Sequence, residues 1–207
     1  MSPETLLEVF IILFIGMGPV KVLLVYMELT HGLDTSVRTQ MARRVVTVAG
    51  SVAIGLFALG AFIQQLLHFS IGALTIAGGL ILLLLGLKMV LGSAGGGGSE
   101  HPQKDPMSLA TSPLAIPLML NPIGIVALIT FSSTDLVIEE IVAILASIAV
   151  ILLIDYIVLS SAERLGRFFS PATVEVLEKV LGILLAALAI ELMLSGLADA
   201  LGIGTGA

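Results

Sequence analysis

The chain of 207 residues contains no cysteine and few charged residues. Without cysteine it cannot form a disulfide, and it has neither a thiol nucleophile nor a thiolate ligand for a metal. Only 12% of the residues are charged and the formal net charge is −6, which argues against a nucleic-acid partner because such partners select clustered lysine and arginine. The first residues lack the basic segment of a secretory signal and carry Glu4 and Glu8 instead. We therefore expect neither a cleaved signal nor a nucleic-acid-binding function.

The common motifs of hydrolytic enzymes are absent as well. The sequence has no Gly-x-Ser-x-Gly and no His-Glu-x-x-His. Asp155 is the only aspartate deep in an apolar segment, whereas an intramembrane aspartyl protease needs two that face each other. The histidines, His31, His68 and His101, all lie near predicted loops and are too scattered for a metal site. We therefore expect no enzymatic activity, no metal and no cofactor.

Hydrophobic residues make up 57% of the chain, and its mean hydropathy is +1.15. Globular proteins contain about 45–50% apolar residues, so this composition indicates an integral membrane protein. A helix needs about 20 apolar residues to cross the hydrocarbon of a lipid bilayer. Six segments reach that length: 5–29, 45–66, 70–91, 108–132, 138–160 and 174–197. The predicted fold class is therefore an all-α membrane domain of six transmembrane helices.

A segment rich in glycine and proline divides the chain nearly in half. It begins at residue 92 and reads GSAGGGGSEHPQKDP, a composition that is typical of a flexible linker. We expect a first three-helix unit at 1–92, a flexible linker at 93–106 and a second three-helix unit at 107–207.

Basic residues indicate the orientation of the chain in the membrane. Eight of the nine lie beside the first, third and fifth predicted loops: Arg38, Arg43, Arg44, Lys88, Lys104, Arg164, Arg167 and Lys179. Cytoplasmic loops carry an excess of lysine and arginine, so these loops and the linker are predicted to be cytoplasmic. Both termini and the acidic connection at 134–140 are then expected outside the cell membrane.

The two halves of the sequence are similar at a constant offset of 103 residues. The offset aligns Gly18 with Asn121, Pro19 with Pro122, Thr30 with Ser133, and Gly79 with Gly182. Each half has three predicted spans, an odd number, so the second half would enter the membrane from the opposite side. This pattern predicts a 3+3 inverted-topology repeat, the architecture of many secondary transporters. The general likeness of leucine-rich helices is an alternative for the third and sixth spans, but it does not explain the shared proline position.

Helices 1 and 4 are predicted to be broken near mid-membrane. Proline suits the first position of a helix because its missing N–H has no partner there, and both Asn121 and Gly18 are acceptable N-caps. Pro19 and Pro122 would therefore each begin a half-helix whose positive end can bind an anion such as a carboxylate. A simple proline kink packed against neighbouring helices is the alternative at each position. The duplication favours a substrate-binding site formed by these four residues and Gly124.

Lys21 and Asp155 are the two charged residues deep in predicted spans. A charge in that position costs at least about 2.5–3.5 kcal/mol on insertion scales, so it usually faces a partner or a cavity. We hypothesise that Lys21 and Asp155 lie at similar depth and either form an ion pair or bind the two ends of a zwitterion. The alternative is that the Lys21 side chain extends to the cytoplasmic interface.

Three stretches of the sequence resemble the MarC/SnatA family of six-span prokaryotic membrane proteins. They are IAGGLILLLLGLKMV, SPLAIPLMLNPIG and LEKVLGILLAALAIELMLSGL, and the resemblance covers about residues 5–197. Asn121, Pro122 and Gly124 match the family signature in the fourth span. The resemblance implies a place among small amino-acid and ion exporters of the cytoplasmic membrane. Its better-understood members move neutral amino acids such as glycine and alanine, driven by an ion gradient.

The first span departs from the family pattern. The family usually has Asp or Asn followed by Pro-Ile-Gly-Asn and a second proline, whereas this chain has GPVKV at 18–22 and Leu24 in place of the second proline. The chain has therefore lost a glycine and gained a cation at Lys21. Asp155 has no recognised counterpart in the family pattern. Both departures point to a divergent specificity.

These expectations combine into a secondary transporter for a small-molecule substrate, a neutral amino acid of the glycine or alanine type. It would work by alternating access, coupled to H⁺ or Na⁺. Half-helix N-termini with Lys21 would bind the carboxylate, and Asp155 or freed backbone carbonyls would bind the amino group. Proton coupling would use Asp155. A small-cation channel or exporter and a non-transporting membrane scaffold are the alternatives, and a homo-oligomer fits such a slim body.

Overall fold

The computed structural model describes residues 3–91, 105–162, 164 and 171–203. Its helical elements, in chain order, are α1 (Pro3–Met17), α2 (Pro19–Leu29), α3 (Thr35–Leu67), α4 (Ile71–Leu91), α5 (Pro106–Leu109), an irregular segment (Ala110–Met119), α6 (Pro122–Ser132), α7 (Ile138–Ser160) and α8 (Pro171–Ala200). The described ranges contain no strand, so the prediction of an all-α protein is confirmed. Residues 93–104 of the predicted linker lie outside the described residues, as does Arg167.

Most helices are long and apolar enough to cross a membrane. Five stretches qualify by length and composition: Glu4–Leu29, Thr35–Leu67, Ile71–Leu91, Ile138–Ser160 and Val176–Ala200. The pair Pro106–Met119 and Pro122–Ser132, whose helices are bent by 67°, adds a sixth if it forms one span. Large apolar side chains such as Leu59, Leu84 and Leu153 are more than half exposed, as lipid contact allows and water does not. The prediction of a multi-pass membrane protein is confirmed.

Helix α3 begins at Thr35, ten residues before the predicted second span at 45–66. Its early turns carry Arg38, Arg43 and Arg44, which the sequence had placed beside a loop rather than on a helix. Hydropathy identifies only the part of a helix that lies in the hydrocarbon of the membrane. The backbone hydrogen bonds of the helix continue through its polar residues. Arg38 stabilises this start because its Nε donates a hydrogen bond to the Leu33 carbonyl at 2.9 Å.

The segment Ala110–Met119 is irregular because it contains two prolines. Pro113 and Pro117 each remove a backbone donor, and the residue before a proline avoids the α conformation. Accordingly, Ser112 has φ −143° and ψ 123°, and Ile116 has φ −137° and ψ 126°. The stretch 108–119 is therefore helical in its first turn and irregular beyond it.

Two buried clusters hold the helices together. The larger one lies among α1, α2, α3, the irregular segment, α6 and α7; its largest fully buried side chains include Leu13, Met17, Tyr26, Met119 and Leu120. The smaller one joins α4 to α8 and comprises Leu82, Met89, Leu185 and Ala189.

Helices α4 and α8 touch backbone to backbone at glycines. A Cβ built on Gly86 would lie 2.7 Å from the Gly182 carbonyl oxygen, and one built on Gly79 would lie 2.7 Å from the Ala189 carbonyl oxygen. Small residues allow membrane helices to approach this closely. This pair contacts the rest of the protein through α4 against α6 and α8 against α2.

Candidate functional site

The carboxyl end of α1 meets the amino end of α6. The Asn121 backbone N–H donates to the Gly16 carbonyl at 3.0 Å, and its side-chain Nδ2 donates to the Ile15 carbonyl at 2.9 Å. The last carbonyls of a helix have no partner within that helix, so an uncapped end inside a membrane leaves them without hydrogen bonds. One asparagine from the other half of the chain donates to two of these carbonyls.

Asn121 also caps its own helix. It has an extended backbone with φ −87° and ψ 169°, and its Oδ1 accepts from the Ile123 N–H at 2.9 Å and the Gly124 N–H at 3.3 Å. Pro122 follows at the first helical position, where its missing N–H costs nothing. Asn121 is therefore the N-cap of α6, as predicted. Its side-chain Oδ1 occupies the place that an anion would take at the start of this helix.

Two glycines let the helices approach at this junction. A Cβ built on Gly16 would lie 2.4 Å from the Gly124 Cα, and one built on Gly124 would lie 2.7 Å from the Gly16 carbonyl oxygen. No side chain fits in either place without moving backbone. The sequence had singled out Gly124 for binding, and its observed contribution is this close approach. Gly16 was not among the residues predicted to form the site, and its position two residues before Gly18 was a signal that could have marked it.

Lys21 points back to the end of α1. Its Nζ donates to the Ile15 carbonyl at 2.8 Å, so that oxygen accepts from both Lys21 and Asn121. The side chain is partly buried. The ammonium thus binds a carbonyl that the helix end leaves free, and not a carboxylate.

The start of α2 differs from the start of α6. Gly18 has an extended backbone with φ −73° and ψ 164°, and Pro19 takes the first helical position, as at α6. Gly18 has no side chain, so no side-chain cap closes the first turn of α2. A Cβ at Gly18 would lie 2.3 Å from the Phe14 carbonyl oxygen, which explains why a larger cap is not accommodated here.

Asp155 is fully buried, with 0% of its surface exposed. It lies on the buried face of α7 with Ile148, Ile151 and Leu159, and α7 packs against α1, α2 and α3. Neither carboxylate oxygen has a hydrogen-bond partner among the residues that the structure describes. The hypothesised hydrogen-bonded ion pair of Asp155 with Lys21 is therefore not observed, and the Lys21 Nζ donates to the Ile15 carbonyl instead.

The junction is closed in this conformation. Gly18, Pro19, Asn121, Pro122 and Gly124 are all buried. The structure has an open, apolar groove of about 670 Å³ elsewhere, between the first turns of α1 and the first half of α7. Phe10, Val142 and Ser147 line it, with Glu139 at its edge. No group of histidine, aspartate and glutamate residues in the described ranges could hold a metal ion.

Comparison with known proteins gives a consistent result. The sequence model of the MarC family, described as "MarC family integral membrane protein", matches residues 4–201. The chain is 27% identical over 205 residues to the UPF0056 membrane protein PYRAB13050 of Pyrococcus abyssi, covering 95% of this chain and 98% of that protein. It is 27% identical over 197 residues to the UPF0056 membrane protein YhcE of Escherichia coli, covering 91% of this chain and 89% of that protein. No solved structure matches the chain significantly.

Proposed function

Since this chain belongs to the MarC family of integral membrane proteins, we propose that it is a secondary transporter of small neutral amino acids such as glycine and alanine. It works by alternating access and is coupled to an ion gradient of H⁺ or Na⁺. The observation that carries the proposal is the junction between the end of α1 and the start of α6, where backbone groups of two helix ends meet inside the protein and Lys21 donates to one of them. Asp155 is a buried carboxyl group on α7, which packs against α1 and α2.

An inverted repeat is the architecture that the proposal requires. Helices α2 and α6 each have 11 residues and begin at Pro19 and Pro122, which are 103 residues apart. Helices α3 and α7 begin at Thr35 and Ile138, again 103 residues apart. The same offset relates two capping bonds: Thr30 donates to the Tyr26 carbonyl, and Ser133 donates to the Ile129 carbonyl. These equivalences in local structure support two copies of one unit.

The packing between the two halves supports a two-fold relation between them. We replace each element by its equivalent in the other half, so that α1 corresponds to the irregular segment, α2 to α6, α3 to α7 and α4 to α8. The α1–α6 contact then becomes the contact of the irregular segment with α2. The same exchange maps α3–α6 onto α2–α7, and α4–α6 onto α2–α8; all of these pairs are in contact. At the residue level, Gly86 approaches Gly182 while Gly79 approaches Ala189, the two contacts that such an exchange interconverts. With three spans in each half, such a relation inverts the second half in the membrane.

The two interrupted spans give the substrate site its polarity. The positive end of α2, with Lys21 beside it, binds the carboxylate of an amino acid. Asp155 on α7 binds the ammonium, since α7 packs against α2 and the Asp155 oxygens have no other partner in the described chain. Asn121, Pro122 and Gly124 form the opposite wall.

Alternating access requires this junction to open. The backbones of Gly16 and Gly124 are in contact, so the site is closed to water in the present conformation. Rocking of the two halves would separate α1 from α6 and release the Ile15 and Gly16 carbonyls from Asn121. The substrate would then supply hydrogen-bond partners to the carbonyls that Asn121 has released. This replacement keeps the number of polar groups without a hydrogen bond low in a medium without water.

Uptake into proteoliposomes tests the proposal. Purified protein reconstituted into vesicles should accumulate labelled alanine or glycine when an H⁺ or Na⁺ gradient is imposed, with saturation and with competition by unlabelled substrate. Protein-free vesicles and vesicles with Gly16→Val, which blocks the junction, are the controls. Flat uptake of a full amino-acid panel by protein that elutes as a single folded species would contradict the amino-acid transport claim.

A cation pathway is the second candidate, because the fully buried Asp155 offers an unpartnered carboxylate to a small cation. Conduction through planar bilayers that rises linearly with cation concentration, without exchange of amino acids, would favour a channel. Saturating, substrate-dependent flux would favour the transporter.

The proposed orientation has both termini and Val137 outside and residues 93–104 in the cytoplasm. The absence of native cysteine makes this simple to test, since any introduced cysteine is the only reactive thiol. Val137→Cys should react with an impermeant maleimide on intact cells, and Lys88→Cys should react only after lysis. The reverse pattern would invert the topology.

A further inference from the structure

Asp155 is a buried carboxyl group without a hydrogen-bond partner among the described residues. Its side chain has no exposed surface, and both oxygens lack a hydrogen-bond partner among the described residues. Its neighbours on the buried face of α7 are Ile151 and Leu159, which offer no polar group. A carboxylate in such a place without a counter-charge is strongly disfavoured.

Among the residues that the structure describes, no charged side chain forms a hydrogen bond that would supply that counter-charge. The titratable and cationic groups on α7 and on the helices packed against it are Glu4, Glu8, Lys21, Tyr26, Glu28, Arg38, Arg43, Arg44, Glu139, Glu140 and Tyr156. Lys21 donates to the Ile15 carbonyl, the Tyr26 hydroxyl donates to the Arg38 carbonyl, and Arg38 Nε donates to the Leu33 carbonyl. Arg43 and Arg44 are exposed. None of these groups is a hydrogen-bond partner of Asp155 in the described part of the chain.

A proton, a substrate ammonium and a small metal cation could each compensate the carboxyl group, but the apolar neighbours Ile151 and Leu159 supply none of the further oxygen ligands that a metal cation needs. A proton makes it neutral, and a substrate ammonium compensates its charge with a buried ion pair. Both need the same oxygen atoms. A proton on the carboxyl group removes the negative charge that would bind the ammonium. A bound ammonium stabilises the charged carboxylate and therefore favours release of the proton.

We propose that Asp155 binds either a proton or the ammonium group of the substrate, never both, and that this exclusive choice makes the protein a proton/amino-acid antiporter. The proposal rests on the transport function proposed above and specifies its coupling ion and direction. With protons flowing into the cell, the substrate is exported.

The exchange step balances in atoms and charge. The ammonium of a zwitterionic amino acid approaches the neutral carboxyl, the carboxyl O–H bond breaks, and the electron pair stays on the carboxylate. The proton leaves to the water on the side from which the substrate came. On the other side a proton binds the carboxylate and the zwitterion departs. Each cycle therefore moves one positive charge inward, so a membrane potential that is negative inside also drives export.

Proton release on substrate binding tests the exchange without any transport measurement. Purified protein in weakly buffered detergent solution with a pH indicator should release about one proton per bound alanine, as linkage between the two ligands requires. Asp155→Asn should release none and should bind alanine about 100-fold more weakly, the factor expected when one partner of a buried ion pair is removed. Asp135→Asn, at an exposed position between α6 and α7, is the matched control and should behave as the wild type.

Proteoliposomes give the second readout. Vesicles loaded with labelled alanine should lose it faster when the outside is made acidic, and Asp155→Asn should abolish that acceleration. Asp155→Glu keeps the carboxyl group and should keep the acceleration at a reduced rate, which separates a proton-binding role from a packing role.

The outcomes distinguish this proposal from the one on which it rests. Alanine binding without proton release, or acceleration by acid that survives Asp155→Asn, would overturn the antiport mechanism while leaving amino-acid transport intact. If the wild type neither binds nor moves any amino acid, the transport function itself fails.

Discussion

The amino ends of α2 and α6 occupy equivalent positions in the two halves of the chain and have the same backbone conformation, but their side chains differ. Both begin at a proline after an extended residue, and both helices have 11 residues. At α6, Asn121 fills the N-cap position and also binds the end of α1. At α2, Gly18 leaves the first turn without a side-chain cap, and Lys21 stands where α6 has Gly124.

The difference shows how two helix starts with the same backbone can have different roles. The start of α6 is a structural joint, because Asn121 caps its own helix and donates to the end of α1. The start of α2 has no side-chain cap and has Lys21 in its first turn, and the proposed function assigns the carboxylate of the substrate to this combination. Under that proposal the start of α6 forms a closed wall of the site and the start of α2 forms the binding wall.

The largest expected effect comes from the glycine contact that joins α1 to α6. Gly16→Ala puts a methyl group 2.4 Å from the Gly124 Cα, so backbone must move, and overpacking of this kind costs about 3 kcal/mol. We expect a clear drop in the melting temperature of the purified protein and loss of transport. Gly55→Ala in α3 is the matched control, because nothing lies within 4 Å of a Cβ there. Equal melting temperatures for the two variants would show that the junction is not tightly packed.

Asn121 offers the next test, since it alone performs two tasks at the structural joint. Asn121→Ala removes the cap of α6 and the side-chain donor to the Ile15 carbonyl, and we expect a loss of about 2–3 kcal/mol in the free energy of unfolding. Asn121→Ser keeps a capping oxygen but lacks the amide Nδ2 that reaches the Ile15 carbonyl, so it should recover about half of that loss. Denaturant titration measures both. If serine is as damaging as alanine, the cap contributes little.

Substitution of Lys21 tests the proposed carboxylate site at the start of α2. Lys21→Met removes the proposed carboxylate partner, whereas the Ile15 carbonyl still accepts from Asn121, so stability should change little. We expect alanine to bind about tenfold more weakly, as for the loss of one hydrogen bond to a charged group. Isothermal titration measures the affinity, and Lys88→Met, at an exposed position in the last turn of α4, is the control. A large fall in melting temperature with unchanged affinity would assign Lys21 to structure alone.

The sequence was sufficient for the apolar helices and for two helix starts, at Pro19 and Pro122. Long apolar runs predict membrane helices directly, and proline marks a helix start because it lacks the N–H that a helix interior needs. The start of α3 at Thr35 was missed because its first turns are polar.

The partners at the junction could not be read from sequence. Charge complementarity led from Lys21 to Asp155, but backbone carbonyls at a helix end compete for the same ammonium and carry no sequence signature. The contact of Gly16 with Gly124 joins positions far apart in the chain, and only the packing of α1 on α6 brings them together. Burial of Asp155 was foreseen from its depth in a span, whereas the lack of a partner for both oxygens needed the surrounding helices.

The smallest expected effect concerns the two equivalent bonds that end α2 and α6. The Thr30 hydroxyl donates to the Tyr26 carbonyl at 2.7 Å in a buried position, and the Ser133 hydroxyl donates to the Ile129 carbonyl at 2.9 Å in an exposed one. Thr30→Val should cost about 1 kcal/mol, because the buried Tyr26 carbonyl loses the hydroxyl and keeps only the Thr30 N–H as a donor. Ser133→Ala should cost less, because water can replace the hydroxyl at an exposed position. Denaturant titration of each variant and of the pair measures the costs and their additivity. Equal costs would mean that both helix ends lie in the same environment, and the difference between α2 and α6 would then be confined to their amino ends.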